Sequence, residues 1–167
     1  MKRLPKFLSA SILSILDQGM LSALNFGIGL LLIRLVSKEE YGLYGQLYSL
    51  ALFMGLLLDS WIGGPLTTVA ASQNNATQHA LFHHYWRKQL VLASALSSLC
   101  FSAIWLLPLP HIDSGSAWIL GLGFAAYVFC NGIREYSRSL GFIENDMQTV
   151  FQQDLLYTFS ICAALLL

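Results

Sequence analysis

Six side chains among those that place hydrogen-bonding or ionisable chemistry inside otherwise apolar runs stand out as site candidates. They are Asp17, Gln18 and Asn25 in the first run, Asp59 in the second, and Arg134 and Arg138 in the fourth. Carboxylates such as Asp17 and Asp59 can hold a cation or a proton. Amides such as Gln18 and Asn25 can meet hydroxyl groups. Two guanidiniums one helical turn apart match the geometry of phosphate oxygens. In a membrane helix an ionisable group costs several kcal/mol unless it faces protein or water, which makes each one a functional candidate.

Spacing organises these residues further. At about 100° per residue, Gln18, Ser22, Asn25 and Gly29 share one stripe of a helix, and Gly19, Ala23 and Gly27 form a second, largely opposite stripe. The first is polar. The second is the small-xxx-small pattern that lets backbones approach closely. Counting along the runs, Asp17 lies ~15 Å from Phe7 and Asp59 ~27 Å from Tyr41, with Arg134 about as deep in its own run and Asp154 one to two turns into the last. All four then fall in the inner half of a bilayer or at its edge, where they can form charge pairs lining a wet vestibule. A plainer reading stays open for each group: the polar stripe bonding neighbouring helices, and the two arginines anchoring a helix end.

The elements that must position these groups are five apolar runs, expected as helices over 7–36, 41–71, 90–107, 116–139 and 149–167. A spanning helix takes about 20 mostly apolar residues. Of the 167 residues 56% are hydrophobic and 11% charged, against about 25% charged in soluble proteins. The fold class expected is all-α, a polytopic transmembrane bundle of about five spanning helices, with 1–167 as a single membrane domain. Phe7–Leu16 is read as part of an uncleaved first helix, because Asp17 interrupts the run and apolar residues resume to Val36.

Basic residues gather at the N-terminus (Lys2, Arg3, Lys6), in the second connection (Arg87, Lys88) and at the fourth (Arg134, Arg138). The positive-inside rule therefore puts the N-terminus on the cytoplasmic side. Gly63-Gly64-Pro65 predicts a kink or helix end in the second run. The polar stretch 72–89 is expected as a surface loop that includes His79, His83 and His84. The chain stops at Leu165-Leu166-Leu167 with no polar flank, which suggests a truncated frame or a fragment.

Several function classes are disfavoured. A formal net charge of +0 is unsuited to nucleic acid, which wants a clustered Lys/Arg excess. Cys100, Cys130 and Cys162 sit in apolar runs and are expected as buried, reduced thiols. No nucleotide-binding Gly-Lys-Ser/Thr loop and no nucleophile–base pair is recognisable. No catalytic residues, metal ligands or cofactor are therefore assigned.

Three segments resemble a known family. Leu32-Ile33-Arg34-Leu35-Val36-Ser37-Lys38-Glu39-Glu40-Tyr41-Gly42-Leu43-Tyr44 resembles the first-connection signature of bacterial polysaccharide exporters. These are the O-antigen and lipid-linked oligosaccharide flippases of the multidrug/oligosaccharidyl-lipid/polysaccharide superfamily. Leu57-Leu58-Asp59-Ser60-Trp61-Ile62-Gly63-Gly64-Pro65-Leu66 is similar to the family's second helix, and Arg134-Glu135-Tyr136-Ser137-Arg138 to its pattern between the fourth and fifth. The resemblance implies a partial first lobe of a two-lobed transporter. The implied activity turns an undecaprenyl-pyrophosphate-linked oligosaccharide across the bacterial inner membrane, making and breaking no bond. Gln18, Asn25, Arg134 and Arg138 would then meet sugar or pyrophosphate, and Asp17 or Asp59 a coupling cation. Implied partners are the lipid bilayer, the lipid-linked oligosaccharide, a glycan polymerase and export machinery. Thr67-Thr68 stands where many relatives carry a basic residue. The alternatives are a multidrug-type exporter fragment, or a polytopic membrane protein that transports nothing, such as a decayed gene product.

Overall fold

A computed structural model of the chain describes residues 6–70, 72–73, 75–106 and 114–165. The expectations for Lys2 and Arg3 and for Leu166-Leu167 concern residues outside this set, as does most of the third connection. Among the described residues the chain is helical throughout: α1 (Lys6–Leu35), α2 (Lys38–Leu58), a π turn (Asp59–Gly63), α3 (Gly64–Ala70), α4 (Asn75–Leu106), α5 (Ser114–Ile143) and α6 (Met147–Leu165). With α2, the π turn and α3 read as one continuous rod, these are five helices.

Four stretches are long and apolar enough to cross a bilayer: Ala10–Leu35, Lys38–Ala70, Thr77–Leu106 and Ser116–Ile143. Side chains such as Ile15, Leu56, Val91 and Ile119 are exposed by two thirds or more. That is costly in water and natural in hydrocarbon. The chain is an all-α membrane protein. Helix α6 has the length to span, but its first half carries Gln148, Gln152, Gln153 and Asp154.

Local chemistry explains the breaks. Ser37 and Glu40 form a reciprocal cap at the start of α2: the Glu40 N–H donates to Ser37 Oγ at 3.2 Å, and the Ser37 N–H to Glu40 Oε2 at 2.9 Å. This Ser-x-x-Glu pairing satisfies two donors that a helix start leaves orphaned. At the end of α5, Asn145 takes φ 56°. The Asp146 N–H reaches the Gly141 carbonyl at 2.9 Å and the Asn145 N–H the Phe142 carbonyl at 3.2 Å. That pair of bonds is the Schellman closure. Asp146 then caps α6, accepting from the Thr149 N–H at 3.2 Å and the Thr149 hydroxyl at 2.5 Å.

One expectation is refined and one is corrected. Pro65 does not end the second helix. It lacks the N–H that would return to the preceding turn, and the chain widens just before it. In this π turn Gly64 N–H donates to the Asp59 carbonyl, five residues back, and α3 continues. The polar stretch expected as a loop over 72–89 is instead helical from Asn75. His79, His83 and His84 therefore lie on α4, all exposed, and among the described residues no group of three or more His, Cys, Asp or Glu is placed to hold a metal.

The chain divides into two compact units, one of Met1–Gly45 with Gly141–Leu167 and one of Gln46–Leu140. In the first, α1 packs on α6, and Val150 is buried against Gly141, where a Cβ would overlap the Val150 side chain. In the second, Ala51, Met54, Cys100, Ile104, Phe124 and Val128 form the core. Gly132 of the same unit is closely packed, since a Cβ there would stand 2.8 Å from Leu58 Cδ1. Of the three free thiols only Cys100 is buried; Cys130 and Cys162 are exposed, contrary to expectation.

Candidate functional site

The six residues singled out by type and spacing divide between the units. In the first, α1 carries Asp17, Gln18 and Asn25. Asp17 is 3% exposed, and Asp154 on α6 is 0% exposed. Burial at that level keeps both carboxylates out of acyl chains, as the cost of a charge in hydrocarbon requires. Gln18, Ser22 and Asn25 are exposed. The small-residue stripe does not act as a packing face here: Gly19 and Gly27 have open space where a Cβ would project, and Ala23 is exposed.

The second unit gathers the rest of the chemistry. On α5, Glu135 sits between the two arginines. It pairs with Arg134 Nη2 through Oε1 at 2.6 Å, and Arg138 Nη1 lies 3.3 and 3.2 Å from its two oxygens. One carboxylate thus sets the direction of both guanidiniums. The arginine side chains are 19% and 10% exposed, inside a stretch apolar enough to span a membrane. Charge-assisted bonds of this kind are worth about twice a neutral one, and they tie both forks to the one carboxylate.

Glu135 also faces a small cavity of about 20 Å³, lined by Gly55, Leu58, Asp59, Gly63, Gln89, Gly132 and Tyr136. That is room for one water molecule. Three features build it. The π turn brings Asp59 around, and its carboxylate folds against Gly63 where a Cβ would collide. Gln89 Nε2 donates to the Gly132 carbonyl at 2.7 Å, bracing α4 on α5. The Tyr136 hydroxyl donates to the Phe82 carbonyl at 2.7 Å, with its ring 5.4 Å from that of Trp86. Two carboxylates and an amide around a one-water space can hold a water, a proton or a small cation.

Of the expected residues, the structure brings Arg134 and Arg138 together through Glu135, and places Asp59 on the cavity that Glu135 also lines. Three participants were given no site role by sequence reasoning: Glu135, Gln89 and Tyr136, although Glu135 and Tyr136 stand in the segment that carries the family resemblance. The first had a signal, an acid between two arginines at i, i+1, i+4. The other two act through contacts distant in sequence, and Gln89 fell in the stretch expected as loop. Comparison with protein-family models, with curated proteins and with solved structures finds no match.

Proposed function

We propose that this chain forms first-lobe helices of a transporter that moves an undecaprenyl-pyrophosphate-linked oligosaccharide from the cytoplasmic to the outer leaflet of a bacterial inner membrane. The observation that carries the reading is the Arg134–Glu135–Arg138 cluster within a spanning helix. A charged triad in hydrocarbon is retained at a cost of several kcal/mol, so a task for it is expected. Two guanidiniums one turn apart, gathered on a single carboxylate, suit the oxygens of a pyrophosphate.

On this reading Gln18 and Asn25 on α1 meet sugar hydroxyls, and Asp59, folded over its π turn, carries the coupling proton or cation, with Asp17 as the alternative carrier. The likeness of the capped α1–α2 junction and of the Arg-Glu-Tyr segment to lipid-linked sugar flippases supports the cargo class. The basic residues before α1 and in the second connection support a cytoplasmic N-terminus. The partners are then the polymerase and export machinery that consume the flipped lipid. No covalent step occurs.

The test is surface polysaccharide in cells whose chromosomal copy carries Arg134→Ala with Arg138→Ala. Export should be lost while membrane insertion stays normal. Unchanged polysaccharide would refute the arginine clamp.

A further inference from the structure

Helix α4 is 32 residues long, about 48 Å at 1.5 Å per residue, against a hydrocarbon core of about 30 Å. Its two halves differ. Residues 75–89 are polar and aromatic, with three histidines, Trp86, Arg87 and Lys88; residues 90–106 are almost wholly apolar. The headgroup level of the bilayer therefore falls where the composition changes, at Arg87 and Lys88, with Tyr85 and Trp86 as interfacial aromatics.

At that level the second unit carries a groove of about 430 Å³, lined by Trp61 and Ile62 of the π turn and by Arg87, Lys88, Val91, Leu92 and Ala95 of α4. Its volume lies within the roughly 300–1,000 Å³ of ordinary ligand pockets. The α4 residues recur at i, i+1, i+4, i+5 and i+8, one face running about 12 Å from Arg87 to Ala95. The groove is graded along that face. Two exposed cations stand at its headgroup end, Val91 and Trp61 form its walls with 71% and 67% exposure, and Ile62, 3% exposed, is its floor. No carboxylate lines it. Lys88 Nζ lies 5.2 Å from the Tyr85 ring centroid, which holds the ammonium on the rim. Trp61 lies in the wide turn before Pro65 and is exposed beside α4.

We propose that this groove binds an anionic phospholipid of the bilayer, its phosphate on Arg87 and Lys88 and one acyl chain along Val91, Leu92 and Ala95 against Trp61. The occupant follows from the gradient. A cationic end at headgroup level continuous with an apolar trough in the acyl region matches the negative head and one acyl chain of such a lipid. A cytosolic anion would leave the trough unused, and a helical partner would have to cover two cations in a groove that no carboxylate lines. The site is independent of cargo transport and needs only that the chain sit in a membrane.

The test uses the full chain in detergent micelles, titrated with phosphatidylglycerol or phosphatidylcholine of identical acyl chains, with bound lipid counted by native mass spectrometry. Phosphatidylglycerol should bind about thirtyfold tighter, roughly fivefold for each cation near the phosphate. Arg87→Gln with Lys88→Gln should abolish the preference. Ala95→Trp should weaken phosphatidylglycerol binding by filling the trough while leaving both cations in place, and far-UV circular dichroism should show these exposed substitutions leave the helices intact. The proposal is overturned if the two lipids bind equally, if the preference survives in the double variant, or if Ala95→Trp has no effect, the last of which would mark diffuse attraction to surface charge.

Discussion

The contact of Gly141 with Val150 gives the sharpest stability prediction. Gly141 lies in the last turns of α5, and a methyl group there would occupy space held by the Val150 side chain. Val150 is 2% exposed and, being β-branched in a helix, has one strongly favoured rotamer, so it cannot swing aside. Inserting one carbon into such packing costs about 1–3 kcal/mol. Alanine in place of glycine inside a helix returns about 1 kcal/mol. Gly141→Ala alone should therefore destabilise by about 0–2 kcal/mol. Val150→Ala alone should cost about 1.5–3 kcal/mol of lost burial. In the double variant the clash is gone, so the glycine replacement adds only its gain in helix propensity to the lost Val150 burial, and the pair should be less destabilised than the sum by about 1–3 kcal/mol. Denaturant unfolding of the four proteins in one micelle, followed by circular dichroism, measures this coupling. Additivity within about 0.5 kcal/mol would refute the close approach.

Three further outcomes follow from the geometry. Tyr136→Phe removes the hydroxyl that donates to the buried Phe82 carbonyl; it should cost about 1–2 kcal/mol and lower Tm by roughly 2–8 °C in a thermal melt. Ser37→Ala deletes half of the α2 cap and should cost about 1 kcal/mol, whereas Ser37→Asp, able to accept the same N–H, should retain most of the stability in the same melt. The Thr149 hydroxyl, with the Thr149 N–H, holds the Asp146 carboxyl below its usual range. The α6 cap therefore stabilises above the ordinary aspartate value, about 3.9, and this contribution fades as pH falls through the lowered value. Asp146→Asn should flatten that part of an acid titration of stability.

How much the sequence disclosed depended on the range of the interactions. The apolar runs that became α1, α2 with α3, and α5 were legible because hydrocarbon demands long uninterrupted apolar helices. The first half of α4 was not. Asn75–Gln89 lacks apolar periodicity, and nothing local shows that a helix begun in the membrane will extend beyond it. Gly63-Gly64-Pro65 announced a disturbance correctly, but its form depended on whether the chain could widen a turn to accommodate the proline ring. Gly19, Ala23 and Gly27 show the complementary limit: the pattern states that close approach is possible, not that a partner is there. Within the candidate site, Asp59, Arg134 and Arg138 were evident as charges in apolar surroundings. Glu135 was overlooked as part of a motif, although its position between two arginines predicts the pairing. Gln89 and Tyr136 close their bonds to Gly132 and Phe82 across a wide gap in sequence, which no local pattern encodes.

The most direct test of the transport account is binding of undecaprenyl pyrophosphate, compared with undecaprenol, to the chain in micelles. The arginine pair predicts a preference of about tenfold or more for the pyrophosphate. The preference should fall in Arg134→Lys with Arg138→Lys, which keeps the charges but loses the forked donors, and should persist in Arg87→Gln with Lys88→Gln. Equal binding of the two lipids, or a preference that disappears only when Arg87 and Lys88 are changed, would contradict it.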